Sequence, residues 1–250
     1  MPNSIPDITL EKETVLQTTN LRREYQMGRE SILALGGLDI SIQRGEFVAI
    51  MGPSGSGKST LLNLLGGLDQ PTEGQVILDG HDLSEYNEEK LATIRRQKMG
   101  FIFQRHDLFA VLTARENIEF PMLLNDTSVE ERRTRSEQLL NLVGLADKAD
   151  SLPEELSGGQ QQRIGIARAL ANEAAVLLAD EPTGNLDSAT SEEIIHSLIE
   201  LKQSRNLTLI MVTHDSEVAA DADRILQLKD GHLISSPQGT GRGEGQGSAK

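Results

Sequence analysis

The chain has 250 residues, of which 37% are hydrophobic, and its 24 basic and 38 acidic residues give a formal net charge of −14. This length and composition indicate an ordinary folded protein with one large or two small domains. The acidic charge disfavours direct binding to nucleic acid or to anionic lipid. The sequence has no cysteine, which excludes disulfides and thiolate metal sites. It also has no apolar run of the roughly 20 residues that a transmembrane helix needs.

The start of the chain has the pattern of strands followed by a glycine-rich loop. Two short strands, Val15–Tyr25 and Leu38–Ile42, are expected to be joined by a loop that contains glycine. The apolar strand Glu46–Met51 runs directly into a second glycine-rich loop, and Lys58–Leu65 has the pattern of a helix. The order of strand, glycine loop and helix is typical of a phosphate-binding unit.

The middle of the chain is predicted to change from strands to helices. Strands are predicted at Gln75–Leu78 and Met99–Phe103, with a charged helix at about Asn87–Arg96 between them. Over about Arg105–Leu145 the pattern is helical and highly charged, and Ser128–Val143 is its clearest amphipathic segment. We therefore expect a group of helices to be inserted between the strands of the α/β fold.

Two short, continuous apolar runs follow, at Val176–Ala179 and Thr208–Val212. Such runs are typical of parallel strands that are covered on both faces. A helix at Ser188–Ser204 is predicted to connect them.

The end of the chain combines a hairpin signal with a tail of low complexity. Strands at Arg224–Leu228 and His232–Ile234 flank an Asp-Gly turn. Ser236–Lys250 is rich in glycine and poor in apolar residues, so we predict a disordered tail. No internal repeat is present, which indicates one such unit rather than a fused pair.

The glycine-rich loop after Met51 matches the phosphate-loop pattern of nucleotide-binding proteins. Backbone N–H groups of such a loop point at phosphates, a lysine adds charge near the outer ones, and a neighbouring hydroxyl can bind Mg²⁺. We predict that Lys58 and Ser59 take the last two roles. The predicted phosphate-binding residues are Gly52, Pro53, Ser54, Gly55, Ser56, Gly57, Lys58, Ser59 and Thr60.

Two adjacent carboxylates, Asp180 and Glu181, come directly after the predicted strand Val176–Ala179. The first is placed to orient Mg²⁺, and the second is a natural base or polariser for an attacking water. Adjacent carboxylates at a strand end are often only solvated loop residues. The catalytic interpretation therefore depends on the phosphate loop elsewhere in the same chain.

A second predicted anion site lies in the string Leu156-Ser157-Gly158-Gly159-Gln160. A serine and two glycines at the start of a helix leave backbone N–H groups bare, with the positive end of the helix dipole behind them. The chain already has one phosphate site. The simplest explanation is that these residues contact the same phosphate from another subunit.

These motifs together resemble the nucleotide-binding subunits of ABC transporters, over roughly residues 15–235. The resemblance implies an α/β fold, namely a P-loop ABC ATPase core with a mostly parallel sheet, N-terminal antiparallel strands and an inserted helical subdomain. Residues 1–235 would form the ATP-binding domain, with the helical subdomain at about 105–170. The resemblance also implies ATP and Mg²⁺ as ligands and an ATP-dependent homodimer.

The resemblance assigns roles to four more residues. Gln104 lies where ABC proteins place a glutamine that contacts Mg²⁺ or the attacking water, and His214 matches the histidine that reaches the γ-phosphate. Asp187 corresponds to the loop that crosses the dimer interface beside both active sites. Tyr25 matches the aromatic residue that stacks on adenine.

Local strings at residues 62–69, 112–118 and 177–187 resemble the macrolide-exporter and lipoprotein-release branch of this family. In that branch an ATPase dimer moves permeases that have large extracytoplasmic domains. We therefore expect an integral-membrane permease as the partner, contacted near residues 105–124. The protein would lie in the cytoplasm, peripheral to the membrane only through that permease, with no nucleic-acid partner.

Two other functions would also use a phosphate loop. A non-transport ABC ATPase that acts on DNA or chromosomes would have long coiled-coil or zinc-binding insertions, and the sequence contains neither. A phosphoryl-transferring kinase could use the same loop, and residues 156–160 would then be incidental. Co-purification with a polytopic membrane protein would distinguish a transporter subunit from both.

Overall fold

The computed structural model describes residues 13–28, 30–104 and 107–235. Within these residues the chain forms a six-stranded sheet and a four-stranded sheet. The predicted tail at Ser236–Lys250, and the first two residues of the predicted helical insertion, Arg105 and His106, lie outside the described residues.

The larger sheet has the strand order β10-β9-β3-β8-β7-β6. The five strands from β9 to β6 are parallel to one another, and β10 pairs with β9 in the antiparallel direction. Its strands are β3 (Phe47–Met51), β6 (Met99–Ile102), β7 (Val176–Asp180), β8 (Thr208–Val212), β9 (Arg224–Lys229) and β10 (His232–Ser235). The predicted mostly parallel sheet is therefore present.

The register of the parallel strands brings four chain segments to one edge of the larger sheet. Val212 at the end of β8 pairs with Ile50 of β3 and with Asp180 of β7, and Ile102 of β6 pairs with Ala179. The segments that follow these four strands therefore leave the sheet side by side. Open parallel sheets bind their ligands at this carboxyl edge.

The smaller sheet is antiparallel, with the order β2-β1-β4-β5. Its strands are β1 (Thr14–Met27), β2 (Glu30–Gln43), β4 (Glu73–Leu78) and β5 (His81–Asp82). The two predicted strands are present, but they are longer than predicted, because β1 and β2 form one long hairpin and most of the predicted loop is strand. Gly36 lies inside β2, where its N–H donates to the Gly231 carbonyl and the His232 ring occupies the space of a Cβ. Here glycine permits a close approach and does not mark a turn.

Side chains of the larger sheet alternate between two hydrophobic cores, one on each face. Phe47 and Ala49 belong to the core that also contains apolar residues of helices α3 to α7, whereas Val48 and Ile50 belong to the core shared with the smaller sheet, α1 and α2. The helices are α1 (Lys58–Leu65), α2 (Glu88–Lys98), α3 (Ala114–Leu123), α4 (Val129–Leu142), α5 (Gly158–Ala169), α6 (Ser188–Arg205) and α7 (Ser216–Ala220). Burial on both faces explains why these strands read as continuous apolar runs.

The helical insertion begins later than its charge pattern indicates. Helix α3 starts only after Thr113, whose side chain and Glu116 form a capping box. Before it, the buried Asn117 side chain accepts a hydrogen bond from the Phe109 N–H and donates to the carbonyls of Phe109, Leu112 and Thr113. This network holds residues 109–113 out of helix. Among the described residues, no helix combines the length and apolar character needed to cross a membrane.

Candidate active site

The glycine-rich loop connects the end of β3 to the start of α1, as the sequence predicts. Gly57 has φ +100° and caps α1, and a Cβ there would lie 2.5 Å from the Ala34 carbonyl of β2. A Cβ on Gly52 would lie 2.0 Å from the Leu228 carbonyl of β9. Larger residues would therefore push the loop away from its supports. The two glycines fix the loop against β2 and β9 at the carboxyl edge of the sheet.

Lys58, the first residue of α1, folds back across this loop. Its ammonium donates hydrogen bonds to the carbonyls of Gly52 and Pro53, both at 2.9 Å. The positive charge is thus held over the loop next to the positive end of α1, where an incoming phosphate would replace the two carbonyls as acceptors.

We predict that Lys58→Ala weakens ATP binding at least about tenfold, because a charge-assisted contact to phosphate contributes roughly 1.5–3 kcal/mol. The lysine meets the phosphates in the ground state, so the effect should appear in the dissociation constant itself. Calorimetry with a non-hydrolysed ATP analogue measures this constant. An unchanged value would contradict the assignment.

Ser59 and Asp180 face each other across the site. The Ser59 hydroxyl donates to the Asp180 carboxylate at 3.5 Å. Burial raises the pKa of Asp180, the nearby Glu181 charge acts in the same direction, and the Ser59 hydrogen bond and the Lys58 charge oppose the rise. A hydroxyl and a single carboxylate are hard oxygen ligands that fit Mg²⁺, which usually takes its remaining ligands from phosphate and water. The described residues hold no cluster of three or more His, Asp or Glu that could bind a metal ion.

The raised pKa predicts that the charged form of Asp180 destabilises the nucleotide-free fold. A carboxyl whose folded pKa lies above its unfolded value destabilises the fold above that folded pKa, and the penalty disappears as the pH falls below the unfolded value. We expect Asp180→Asn to raise the melting temperature at pH 7 by about 2 °C, with a smaller gain at pH 4. Thermal melts of the nucleotide-free protein at the two pH values test this. A melting temperature lowered at pH 7 would contradict it.

Glu181, the residue after β7, has a backbone conformation that is unusual for a side-chain-bearing residue. Its φ is +45°, its N–H donates to the Val212 carbonyl of β8 at 3.0 Å, and its carbonyl accepts from the Gly184 N–H. One carboxylate oxygen lies 3.5 Å from Nδ1 of His214, which follows β8. A non-glycine residue with positive φ is strained and persists only where the surrounding structure holds it, as these two backbone contacts do here. The site thus brings together Glu181 and His214, to both of which the sequence analysis gives roles in ATP hydrolysis.

Gln104, two residues beyond β6, reaches the segment that follows Glu181. Its side chain lies so close to Gly184 that a Cβ there would be 2.8 Å from the amide nitrogen. The Asn185 amide also donates to the Gln104 carbonyl at 3.0 Å. Gln104 and the loop after Glu181 therefore form one packed unit.

Gln162 is a residue of this unit that sequence reasoning missed. It is buried within α5, and its amide donates to the Pro182 carbonyl at 2.6 Å and to the Phe103 carbonyl at 3.4 Å. These carbonyls belong to the neighbours of Glu181 and Gln104. The signal in the sequence was a polar residue on the otherwise apolar inner face of an amphipathic helix, where a buried amide requires partners.

The predicted second anion site lies at the exposed start of α5. Ser157 and Gln160 form a capping box, in which the serine hydroxyl accepts from the Gln160 N–H at 3.3 Å and the glutamine oxygen accepts from the Ser157 N–H at 2.9 Å. The N–H groups of Gly158 and Gly159 belong to the first helical turn, which has no intrahelical acceptors for them. They remain suited to an anion.

Asp187 lies beside this helix start and caps α6. Its carboxylate accepts from the Thr190 N–H at 3.1 Å and from the Thr190 hydroxyl at 2.7 Å, and these bonds hold the pKa of Asp187 below its usual range. A Cβ on Gly159 would lie 2.5 Å from the Thr190 methyl group. The starts of α5 and α6 therefore pack together, and Arg163 and Glu193 form an ion pair between the two helices.

Tyr25 lies near the tip of the β1–β2 hairpin. Its ring is half-buried, and its hydroxyl donates to Asp69 at 2.8 Å. The predicted contact between this ring and adenine stays a prediction.

The geometry defines the class of protein. A phosphate loop follows one parallel strand, a hydroxyl and a carboxylate suited to Mg²⁺ face each other across the loop, and a glutamate and a histidine meet at the ends of adjacent strands. This is the arrangement of a P-loop nucleoside-triphosphate hydrolase.

Comparison with known proteins narrows the class to a family. A family model described as ABC transporter matches residues 35–184. The chain is 45% identical over 225 residues to YknY of Bacillus subtilis, an uncharacterized ABC transporter ATP-binding protein, and the match covers 90% of this chain and 97% of YknY. It is 47% identical over 223 residues to MJ0796 of Methanocaldococcus jannaschii, covering 88% and 95% of the two chains.

Two further comparisons concern structure and length. The dimeric structure of MJ0796 in a post-hydrolysis state with ADP and Pi matches with a TM-score of 0.84 at 45% identity, covering 90% of this chain and 99% of that one. MacB of Hyphomonas neptunium, a macrolide export ATP-binding/permease protein, is 47% identical over 221 residues. That match covers 88% of this chain but only 34% of MacB, so the chain spans about a third of that relative.

The chain belongs to the ABC transporter family. It is an ATP-binding, ATP-hydrolysing subunit of a transporter, and its fold is the predicted α/β ABC ATPase core. These comparisons give no support to the alternative that acts on DNA or chromosomes.

Proposed function

We propose that two copies of this chain close on ATP and thereby drive a separate membrane permease. The observation that carries the proposal is that two helix starts suited to an anion, those of α1 and of α5, pack against different elements of the same copy. The first packs against β2 and β9, and the second packs against α6. A site that needs both motifs is most simply built from the α1 of one copy and the α5 of the other.

Within one copy, residues 52–60 bind the phosphates and Lys58 supplies the charge. Glu181 accepts a proton from the attacking water, and His214, 3.5 Å from it, orients that carboxylate and reaches the γ-phosphate. Gln104 lies against the loop after Glu181 and contacts the attacking water or the metal ion.

Ser59, Asp180 and Gln104 are the residues that would hold Mg²⁺, which when bound neutralises charge on the phosphate oxygens. From the other copy, Ser157, Gly158, Gly159 and Gln160 meet the outer phosphate, and Asp187 lies at the interface beside them. Residues 1–235 form the ATP-binding domain, with the helical subdomain at about 105–170 and a tail at 236–250.

An apolar groove beside Gln104 supports a contact with the permease. The groove has a volume of about 490 Å³ and lies between β6, α2 and α3. Phe109 and Leu124, which line it, are 44% and 49% exposed. Phe101 and Phe103 stack within it at 6.0 Å between ring centroids. Since β6 leads directly to Gln104, displacement of the glutamine at the phosphates would reach this groove.

The side chains that line the groove suggest the chemistry of its occupant. They include three arginines and four phenylalanines, namely Arg95, Arg96, Arg168, Phe101, Phe103, Phe109 and Phe120. A cytoplasmic helix of the permease with apolar residues and an acidic residue fits both. Arg115 and Glu116 also lie in the predicted contact region. Arg115 bonds Glu137, and Glu116 accepts from the Thr113 N–H. Substitution of either residue would disturb the helical segment itself, so these two positions test the contact less cleanly.

We expect Leu124→Glu to reduce permease-stimulated ATP hydrolysis at least about tenfold, because it places a charge in the apolar contact. The isolated ATPase should stay within about twofold of the wild type. Val129→Glu is the matched control, since Val129 is 69% exposed at the start of α4, outside the groove lining. If Leu124→Glu leaves the stimulation intact, the groove is not the coupling site.

The resemblance to the macrolide-exporter and lipoprotein-release branch suggests the kind of permease that this chain drives. We place its partner among permeases with extracytoplasmic domains that export compounds or release lipoproteins by mechanical movement. The protein would then lie in the cytoplasm and meet the membrane only through the permease, with no nucleic-acid partner. Affinity purification of the tagged chain from detergent-solubilised membranes tests this. The expected result is one polytopic membrane protein in stoichiometric amount, and recovery of the chain alone would contradict it.

A further inference from the structure

Asp69, four residues beyond the end of helix α1, contacts two side chains of β1. One carboxylate oxygen accepts from the Arg23 guanidinium and the other from the Tyr25 hydroxyl, both at 2.8 Å. The backbone N–H of Gln70 donates to the same oxygen as Arg23. The Arg23 and Asp69 side chains are only 23% and 24% exposed. Partial burial shields these contacts from the solvent that weakens surface ion pairs.

The same cluster covers one face of the Tyr25 ring. The Arg23 guanidinium carbon lies 4.5 Å from the ring centroid, so a cation covers one face. Ile32 pairs directly with Tyr25 across the hairpin and is 47% exposed. Directly paired residues project from the same side of a sheet, so apolar surface adjoins the ring. A flat, apolar group stacked on the ring face opposite Arg23 would lie beside this apolar surface.

The hairpin brings this ring to the phosphate loop. Arg23 pairs with Leu35 of β2, and Leu35 approaches Gly57, where an added Cβ would lie 2.9 Å from its methyl group. Asp69 follows the other end of α1. The cluster of Arg23, Tyr25 and Asp69 is therefore tied to both ends of the helix whose start receives the phosphates.

We infer that Asp69 and Arg23 are positioning residues for the nucleobase of ATP. Asp69 fixes the Tyr25 ring through its hydroxyl, and Arg23 backs the ring on the face opposite the base. The inference rests on the proposed contact between Tyr25 and adenine. Neither residue belongs to the loop 52–60 that is proposed to bind the phosphates, so both would act on the affinity for the base alone.

The test compares a ligand that has a base with one that lacks it. Dissociation constants for Mg-ATP and Mg-tripolyphosphate are measured by calorimetry, or by ligand-induced shifts in melting temperature where binding is weak. Tyr25→Ala removes the ring and should weaken ATP binding at least about tenfold, the scale of aromatic–base stacking. Tyr25→Phe keeps the ring but loses its anchor and should weaken ATP binding about three- to tenfold, the scale of ordering one side chain.

Asp69→Asn should have the same effect as Tyr25→Phe. Both carboxylate oxygens of Asp69 accept hydrogen bonds. An amide removes the negative charge beside Arg23 and replaces one acceptor with a donor, so at best two neutral contacts would take the place of the charge-assisted ones. Asp79→Asn is the matched control, because the two Asp79 oxygens accept from Arg44 at 2.7 Å and from Lys98 at 2.8 Å, away from the ring. All variants, including the control, should bind tripolyphosphate within about twofold of the wild type.

Three outcomes would overturn the inference, and one of them would also contradict the proposed contact between Tyr25 and adenine. If Tyr25→Ala loses ATP affinity while Tyr25→Phe and Asp69→Asn do not, the ring binds the base without its anchor. If ATP and tripolyphosphate are weakened equally, the cluster is only structural. If Tyr25→Ala itself binds ATP normally, the proposed adenine contact is also wrong.

Discussion

Replacement of Glu181 with glutamine is expected to slow ATP hydrolysis at least about 100-fold while Mg-ATP affinity stays near that of the wild type. A positioned general base contributes roughly 10²–10⁴-fold to a rate, and the amide cannot accept the proton of the attacking water. The substitution keeps the shape of the side chain. It also leaves the backbone contacts of Glu181 to Val212 and Gly184 in place. Binding and hydrolysis should therefore separate.

The variant should accumulate as an ATP-bound dimer, because closure would no longer be followed by hydrolysis. Single-turnover hydrolysis and light scattering after gel filtration with Mg-ATP measure the two effects. Glu217→Gln is a suitable control, since Glu217 is an exposed acidic residue in the cleft that Glu181 and His214 also line. Normal turnover by Glu181→Gln would show that another group activates the water.

The catalytic edge of the fold was predictable because its signals are local. A compact apolar strand, a glycine loop and a helix follow one another in the chain, and the helix Lys58–Leu65 and the strand Thr208–Val212 have the predicted bounds. The ends of parallel strands meet at one edge, so the closeness of Ser59 to Asp180 and of Glu181 to His214 followed from strand order. Their roles in hydrolysis stay predictions.

What the sequence did not reveal depends on contacts between distant segments. Gly36 looked like part of a loop, because the approach of His232 that requires a glycine comes from a strand far along the chain. Gln162 bonds the Pro182 carbonyl and Asp69 bonds the Tyr25 hydroxyl. These partners lie far away in the sequence, so no sequence motif links them. Similarly, Asn117 holds residues 109–113 in a non-helical conformation, although the charge pattern of this segment predicted a helix.

The structure also adds local roles to residues that the family resemblance assigns to the interface. Ser157 closes a capping box and Asp187 caps α6, so each stabilises its own helix. Removing a capping side chain costs about 1 kcal/mol. A loss of activity after substitution of either residue could therefore arise within one copy, and only an experiment with two different copies separates the two roles.

Mixing two inactive variants tests the shared site most directly. Lys58→Ala homodimers would have two defective sites, and so would Ser157→Arg homodimers. In a mixed dimer both lesions fall in one site and the other site is wild type. Hydrolysis is measured after the two preparations are mixed and allowed to exchange, with ATP-dependent dimerisation recorded alongside in case turnover requires two intact sites. We predict that the mixture regains a measurable fraction of wild-type hydrolysis or, failing that, ATP-dependent dimerisation, whereas the absence of both in folded, exchanging subunits would contradict a site built from two copies.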